Sequence, residues 1–445
     1  MTGSTRWRMH LGWAIGTLGA SLVLNSFSFL ALYYLTTVVG MAAALAGTVI
    51  LLGKIWDVIF NPLMGVISDR IRTPMGRRRP YLLLGALVSG VAVALLFTLG
   101  VAPWRDSIAA TALIILLIGT GYTIFNVPYM AMPAEMVDNY NERSAMMSWR
   151  VFFIGIGTLA GGAAGKKLVE MFGGGEQGFA TLGVLLGCAV AFFMGLTFFA
   201  TRKASFTERG ALRIGFVEQL RMLAGNRPFM ALLGVKLTQL FGLATNTAVA
   251  LFIIQFVMHR PNVGTWLLYY GLASTAVQII SIPFWLRTSV RFEKRNTYLV
   301  ATVIFALASL SWLLASPAEP LWFFLLRAVV KGFSAAGLLL MGQSMLPDTI
   351  EFDFRRTGLR REGVFSGLYS IVEKFAFAIA PAILGWVLSY YGFVSKAPQQ
   401  SALAVDGIRY AAALLPALYF GLSIPFLLSY GLDESKLKGT GAGRA

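Results

Sequence analysis

The chain has a single cysteine, Cys188, and only two histidines, His10 and His259, among 445 residues. One cysteine in an apolar run excludes a disulfide framework and any cysteine-based metal site. The two histidines lie far apart, and we expect them on opposite sides of a membrane. Charge is scarce too: Asp, Glu, Lys and Arg make up 13% of the residues, against about 25% in many soluble domains. Enzyme signatures are missing, with no HExxH, no GxSxG and no clustered carboxylate pair. The run Gly165-Lys166-Lys167 fails as a phosphate loop, because position 160 is alanine and no Ser or Thr follows the lysine. We therefore expect neither enzyme activity nor a cofactor.

Apolar side chain is what the chain has in excess, at 57% of residues. A soluble protein of this size cannot bury that much, so the class is polytopic membrane protein. The net charge of +17 does not point to nucleic acid, because the basic residues cluster in alternate short loops between apolar segments. That is the pattern that fixes membrane orientation. The first apolar run, from Leu11 to about Val39, is too long for a signal peptide and lacks a small-residue cleavage site, so it reads as a span.

Twelve runs are long enough to cross a bilayer: roughly 11–39, 43–66, 81–101, 107–133, 145–171 and 178–200, then 229–257, 264–286, 297–315, 320–346, 364–391 and 406–431. The longest polar segment, Thr201 to Arg227, separates two sets of six. The expected organisation is an N-terminal half (1–200), a cytoplasmic linker (201–228), a C-terminal half (229–432) and a cytoplasmic tail (433–445). Most Lys and Arg fall in the termini and in the loops after spans 2, 4, 6, 8 and 10, which places both termini in the cytoplasm of a cell (inner) membrane. An all-α fold of two six-helix halves suits a major facilitator architecture. Composition alone also allows a channel or a membrane enzyme. No interface is specified, so the expected partners are the bilayer and a small-molecule solute, with a monomer as the default.

The stretch Lys54 to Tyr81 organises the rest. Lys54, Asp57 and Asn61 are three and four residues apart, so one helix face carries all three. A carboxylate at membrane depth needs a partner or a watery cavity. Asp57 is therefore a candidate Na⁺ ligand or H⁺ carrier, or one side of an ion pair with Lys54 or Lys374; both roles can hold. The helix is expected to break at Pro62 and Gly65. On span 4, Thr123 and Asn126 precede Pro128, where they either line a cavity or satisfy backbone groups freed near the proline. Arg150 is a substrate grip if it sits deep in span 5, and one more cytoplasmic charge if it is shallow. Glu373 and Lys374 are adjacent, so they point about 100° apart and cannot pair; Lys374 is the one expected to face a cavity. Arg327 and Lys331 share a face and need acids or an anionic ligand nearby. Glycines 157, 161 and 165 form a smooth stripe for close helix approach.

The motifs Lys54-Ile-Trp56-Asp57 … Asn61-Pro62-Leu-Met-Gly65 … Asp69-Arg70-x-Arg72-Thr … Gly76-Arg77-Arg78-Arg79-Pro80-Tyr81 resemble the signature of the glycoside–pentoside–hexuronide:cation symporters, the melibiose-permease-like branch of the major facilitators. The block Asp348-Thr-Ile-Glu351-Phe-Asp353 … Thr357-Gly358-Leu-Arg360-Arg-Glu362-Gly363 … Lys374 resembles that family's loop 10–11 and span 11. Tyr33-Tyr34-Leu-Thr36 in span 1 and Asn126-Val-Pro128-Tyr129 in span 4 fit as well. The likeness covers nearly the whole chain. It implies solute transport coupled to Na⁺, Li⁺ or H⁺.

It further implies a cation site at Asp57, Asn61, Thr123 and Lys374, and a substrate site at Ser21, Asn25, Asn126, Arg150 and Lys374. Asp69, Arg70, Arg77 and Arg78 would form ion pairs with Asp348, Glu351, Arg360 and Glu362 as cytoplasmic gating loops. Three departures stand out. Asn61 replaces the second cation carboxylate, and Ser21 and Asn126 replace the two sugar-gripping carboxylates of melibiose permease. A single carboxylate beside lysines makes a weak Na⁺ site at Asp57, so proton coupling or uncoupled uniport fits equally well. The polar, positive pocket suits a hexuronate or another organic anion better than a neutral disaccharide. An amphiphilic, lysolipid-like substrate stays open, as does a non-transporting receptor or scaffold descended from such a carrier.

Overall fold

The computed structural model describes the chain apart from residues 1–2, 71–72, 74, 137–139, 203–224, 358–361 and 433–445. The side chains of some neighbouring residues, Asp69, Glu362 and Lys374 among them, are also outside the description. The described residues are helical, with no strand. The principal helices are α1 (Gly16–Tyr33), α2 (Ala43–Arg70), α3 (Arg79–Thr98), α4 (Ile108–Met136), α5 (Tyr140–Thr158) and α6 (Gly175–Ala200), then α7 (Arg227–Phe252), α8 (Val263–Ile280), α9 (Lys294–Leu310), α10 (Leu321–Thr357), α11 (Glu362–Tyr390) and α12 (Ala402–Ser429).

Among the described residues, ten helices are long and apolar enough to cross a membrane, from Met9–Val39 to Ala402–Ser429. They correspond to ten of the expected spans, eight of them within four residues at each end. The expected spans 5 and 11 fall on α5, which opens on the polar run Tyr140-Asn-Glu-Arg143, and on α11, which is apolar from Phe375 to Tyr390.

Two expectations about where helices end need correction. The helix does not break at Pro62 and Gly65: α2 runs unbroken from Ala43 to Arg70 with Pro62 inside it. Asn61, just before the proline, donates its side-chain amide to the Asp57 carbonyl one turn back. The N–H that Pro62 lacks would have gone to the Val58 carbonyl, so this bond is an additional one at the turn before the proline. Likewise α10 continues through Pro347 to Thr357, so Asp348 and Glu351 sit on a helix and not in a loop.

Contacts divide the chain into two compact units. The first holds Met1–Ala211 with Arg260–Leu268 and Pro381–Ser401; the second holds Leu212–His259, Tyr269–Ala380 and Ala402–Ala445. In the first unit α3 packs along α4 and α6, α2 along α4, and α1 along α5 and α6. In the second, α7 and α9 pack on α12, and α9 on α10. The linker expected at 201–228 lies largely outside the described residues.

The glycine stripe on α5 does what its spacing predicts. A Cβ on Gly157 would collide with Ser21 Cβ, and one on Gly161 would stand 3.1 Å from the Leu22 carbonyl oxygen. The α1 and α5 backbones therefore meet where no larger side chain fits. The core of the second unit is polar in part. Gln239 donates to Thr302 (3.0 Å) and Ser423 (3.2 Å) and accepts from Tyr298 (2.9 Å). All four are buried, and each has its partner, as a low dielectric demands.

Overpacking of a tight core costs about 1–3 kcal/mol. Gly157→Leu should therefore lower the melting temperature of purified protein in detergent. Gly195→Leu should not, because the space where its Cβ would stand is open to 4 Å. Equal effects of the two, followed by fluorescence-detected gel filtration after heating, would contradict the packing described.

Candidate solute and cation sites

The α2–α4 contact builds the first site. Trp56 donates to Thr120 at 2.8 Å and stacks on Phe60, which fixes the rotation of α2 against α4. That rotation turns Asp57 inward, where it is 7% exposed. Its Oδ2 lies 3.3 Å from Lys54 Nζ. Its Oδ1 is buried, has no hydrogen-bond partner among the described residues, and lies over Gly119, where an added Cβ would collide with it. Glycine at 119 is what lets the carboxylate lie against the α4 backbone. Lys54 also lies over the Phe27 ring, 5.1 Å from its centre.

Thr123 is one turn beyond Gly119 on α4. It is fully buried, and its hydroxyl oxygen has no hydrogen-bond partner among the described residues. It therefore does not repair backbone near Pro128, which removes the structural alternative offered for it. Buried orphan hydroxyls are uncommon and call for a reason. The site thus presents one carboxylate oxygen and one hydroxyl, both open, with an ammonium on the far side of the carboxylate. Asn61 turns its amide nitrogen to the helix backbone.

The expected substrate residues fall in the same unit. Ser21 is buried at the α1–α5 seam against Gly157, and its carbonyl accepts from the Asn25 side chain at 2.9 Å. Asn126, on α4, is half-buried. The helix of Arg150 begins at Tyr140 and not near 145, so Arg150 lies ten residues, or about 15 Å, along it. Its Nε is buried and has no partner among the described residues. It stands seven residues before Gly157, two turns along the face that packs on α1.

The other assignments divide by their surroundings. The Lys374, Asp69, Arg360 and Glu362 side chains lie outside the described residues. Arg70 is exposed and Arg77 half-buried. Arg78 is buried and donates to Ser68 at 2.8 Å, which ties the loop back to α2. Asp348 pairs with Lys294 at 2.6 Å, and Glu351 with Arg355 at 2.6 Å one turn on. Arg327 finds its acid in Glu319, both 2% exposed, between the rings of Trp312 and Phe323. Lys331 finds no acid among the described residues and donates to Asn246 instead.

Three features escaped sequence reasoning. Glu373 pairs with Lys236 at 3.4 Å. Tyr129 stacks on Trp13 and hydrogen-bonds Thr17 at 2.6 Å, which fastens α4 to the start of the first span. Glu170 accepts from the Gly264 amide at 2.6 Å. Lone polar residues inside apolar runs were the available signal; their partners come from other helices, which spacing does not reveal.

The family model for "MFS/sugar transport protein" matches residues 12–434. The chain belongs to that family. It is a multi-pass membrane transporter and not an enzyme. The chain of this MFS/sugar transport protein is 27% identical over 431 residues to a putative glycoside/cation symporter, YagG, of Escherichia coli (strain K12), covering 96% of this chain and 92% of the relative. It is 25% identical to the isoprimeverose transporter of Lactiplantibacillus pentosus, covering 97% and 90%. Among solved structures it matches a bacterial homologue of the human lysosomal transporter Spinster, in an inward-facing, occupied conformation, with a TM-score of 0.74. That likeness covers 98% and 99% of the two chains at 13% identity, and it shows the major facilitator fold.

The Gly119 contact yields a prediction. Gly119→Ala should push Asp57 off its seat and cut transport by about tenfold or more, the size expected from 1–3 kcal/mol of overpacking, while the protein still folds. Gly155→Ala, with open space at its Cβ position, should be silent. Normal transport by Gly119→Ala, measured as initial uptake rate per purified molecule, would remove Asp57 from the working site.

Proposed function

We propose that this secondary transporter is a proton symporter of sugar-like solutes, working by alternating access, with Asp57 as the proton carrier. The observation that carries this reading is the buried Asp57 carboxylate, paired with Lys54 on one oxygen and without a partner among the described residues on the other, which lies over Gly119, one turn from Thr123. A Na⁺ ion is held by several oxygens, and here the donors are one carboxylate oxygen and one hydroxyl, with an ammonium 3.3 Å from the same carboxylate. That set fits Na⁺ poorly. A proton needs one acceptor, and Oδ1 is that acceptor. On protonation Asp57 becomes neutral and its pairing with Lys54 weakens, so the side chains are free to rearrange. The change in charge is what couples the ion to the conformational cycle.

The solute class follows from the family, and the named relatives handle glycosides or isoprimeverose. In this chain, Arg150 is half-buried, and its buried Nε has no partner among the described residues, which suits a carboxylate such as that of a hexuronate. The distribution of Lys and Arg supports cytoplasmic termini in the cell membrane, and a monomer is the default because the sequence specifies no interface. One observation favours a second reading: Lys54 already neutralises Asp57, which is what an uncoupled uniporter would need.

Solute uptake into proteoliposomes separates the two. An inward H⁺ gradient should drive accumulation above equilibrium, and an inward Na⁺ gradient should not. Asp57→Asn should abolish the accumulation and retain solute exchange. Equilibration alone under both gradients would establish the uniporter.

A further inference from the structure

The second unit carries a charged pair that the proposed coupling mechanism does not use. Lys236 lies nine residues into α7 and Glu373 eleven residues into α11, so both stand more than two turns inside their helices. Lys236 Nζ is 3.4 Å from Glu373 Oε2 and 4.3 Å from the centre of the Tyr369 ring. Tyr369 is itself fixed, buried and donating its hydroxyl to the Gly342 carbonyl at 3.2 Å. The exposure of the two partners is unequal: the Lys236 side chain is 13% exposed and that of Glu373 is 52% exposed. The lysine is clamped between a ring and a carboxylate, while the carboxylate is open on one side.

A half-exposed carboxylate at this depth cannot face hydrocarbon, where its cost is several kcal/mol, so its open side meets water. Paired with an ammonium, the ionised carboxylate presents only acceptor oxygens, so Glu373 serves as a hydrogen-bond acceptor. Solutes with neighbouring hydroxyls match this arrangement. The carboxylate accepts from the hydroxyl protons, and the ammonium has N–H groups left to donate to a hydroxyl oxygen. We propose that Glu373, oriented by Lys236 over Tyr369, is a solute-binding carboxylate of the second unit that takes the hydroxyl groups of a sugar or polyol. The proposal rests on the sugar-like solute class argued above. A site that hydrogen-bonds a hydroxyl also rejects analogues lacking it.

Two measurements test it. The first needs no solute. In a Cys188→Ser background, Glu373→Cys should react with a charged, membrane-impermeant methanethiosulfonate at least tenfold faster than Phe375→Cys, which lies two residues further along the same helix. Equal or slower labelling overturns the proposal, because the position then does not face water. The second is uptake of isoprimeverose, or of whichever sugar the native protein takes up from a panel of pentosides, hexosides and hexuronates. Glu373→Gln should raise KM at least tenfold with Vmax within twofold, and Glu373→Asp should recover part of the loss. A purely structural pair would lower Vmax or yield and leave KM unchanged, and that result also overturns it. If the native protein takes up nothing from the panel, the solute-class reading falls and takes the ligand assignment with it. Slow labelling ends this proposal alone and leaves the transport reading intact.

Discussion

The pairing of Lys54 with Asp57 inside α2 is the interaction on which the rest depends. A lone carboxylate within the bilayer would be too costly to keep ionised, and a lone lysine equally so. Held together at 3.3 Å, they are tolerable, and one carboxylate oxygen remains available over Gly119. Every neighbouring feature serves that placement. The Trp56–Thr120 bond sets the rotation of α2, and the absent side chain at 119 makes room for the carboxylate. The proton chemistry proposed here is a consequence of a pair that is satisfied but not saturated.

The same rule sorts the other intramembrane charges of the chain. Arg327 and Glu319 are buried together with hydrogen bonds and aromatic rings around them, which is the signature of a structural pair. Lys236 and Glu373 are paired but unequally covered, which is the signature of a group that meets water. Arg150 carries a buried Nε with no partner among the described residues, and so has donor capacity to offer a solute. Burial and partnering together therefore separate structural charge from working charge, where sequence position alone does not.

Much of the fold was legible because hydrophobic run length and basic-loop asymmetry are local signals. Eight spans fell within four residues of their expected ends, while the eighth stops at Ile280 instead of 286 and the tenth runs to Thr357 instead of 346. The ends that moved involve residues whose behaviour depends on neighbours. Pro62 reads as a break in isolation, and the expected tenth span stops just before Pro347, yet α2 and α10 run on through both prolines. Asp57, Thr123 and the role of Gly157 and Gly161 were visible from spacing and polarity in an apolar run. Gly119 was not, since a glycine that seats a carboxylate from another helix carries no pattern of its own. For Glu373 the sequence showed only an adjacent Lys374 at the wrong angle, while the true partner, Lys236, is over a hundred residues away on α7.

The central claim is that solute and proton cross together through Asp57. The most direct measurement is proton movement itself, followed by a pH-sensitive dye trapped in lightly buffered proteoliposomes while solute is added outside with no imposed gradient. The account predicts acidification of the lumen that starts with solute entry and scales with it. Solute entry with no change in lumenal pH would contradict it.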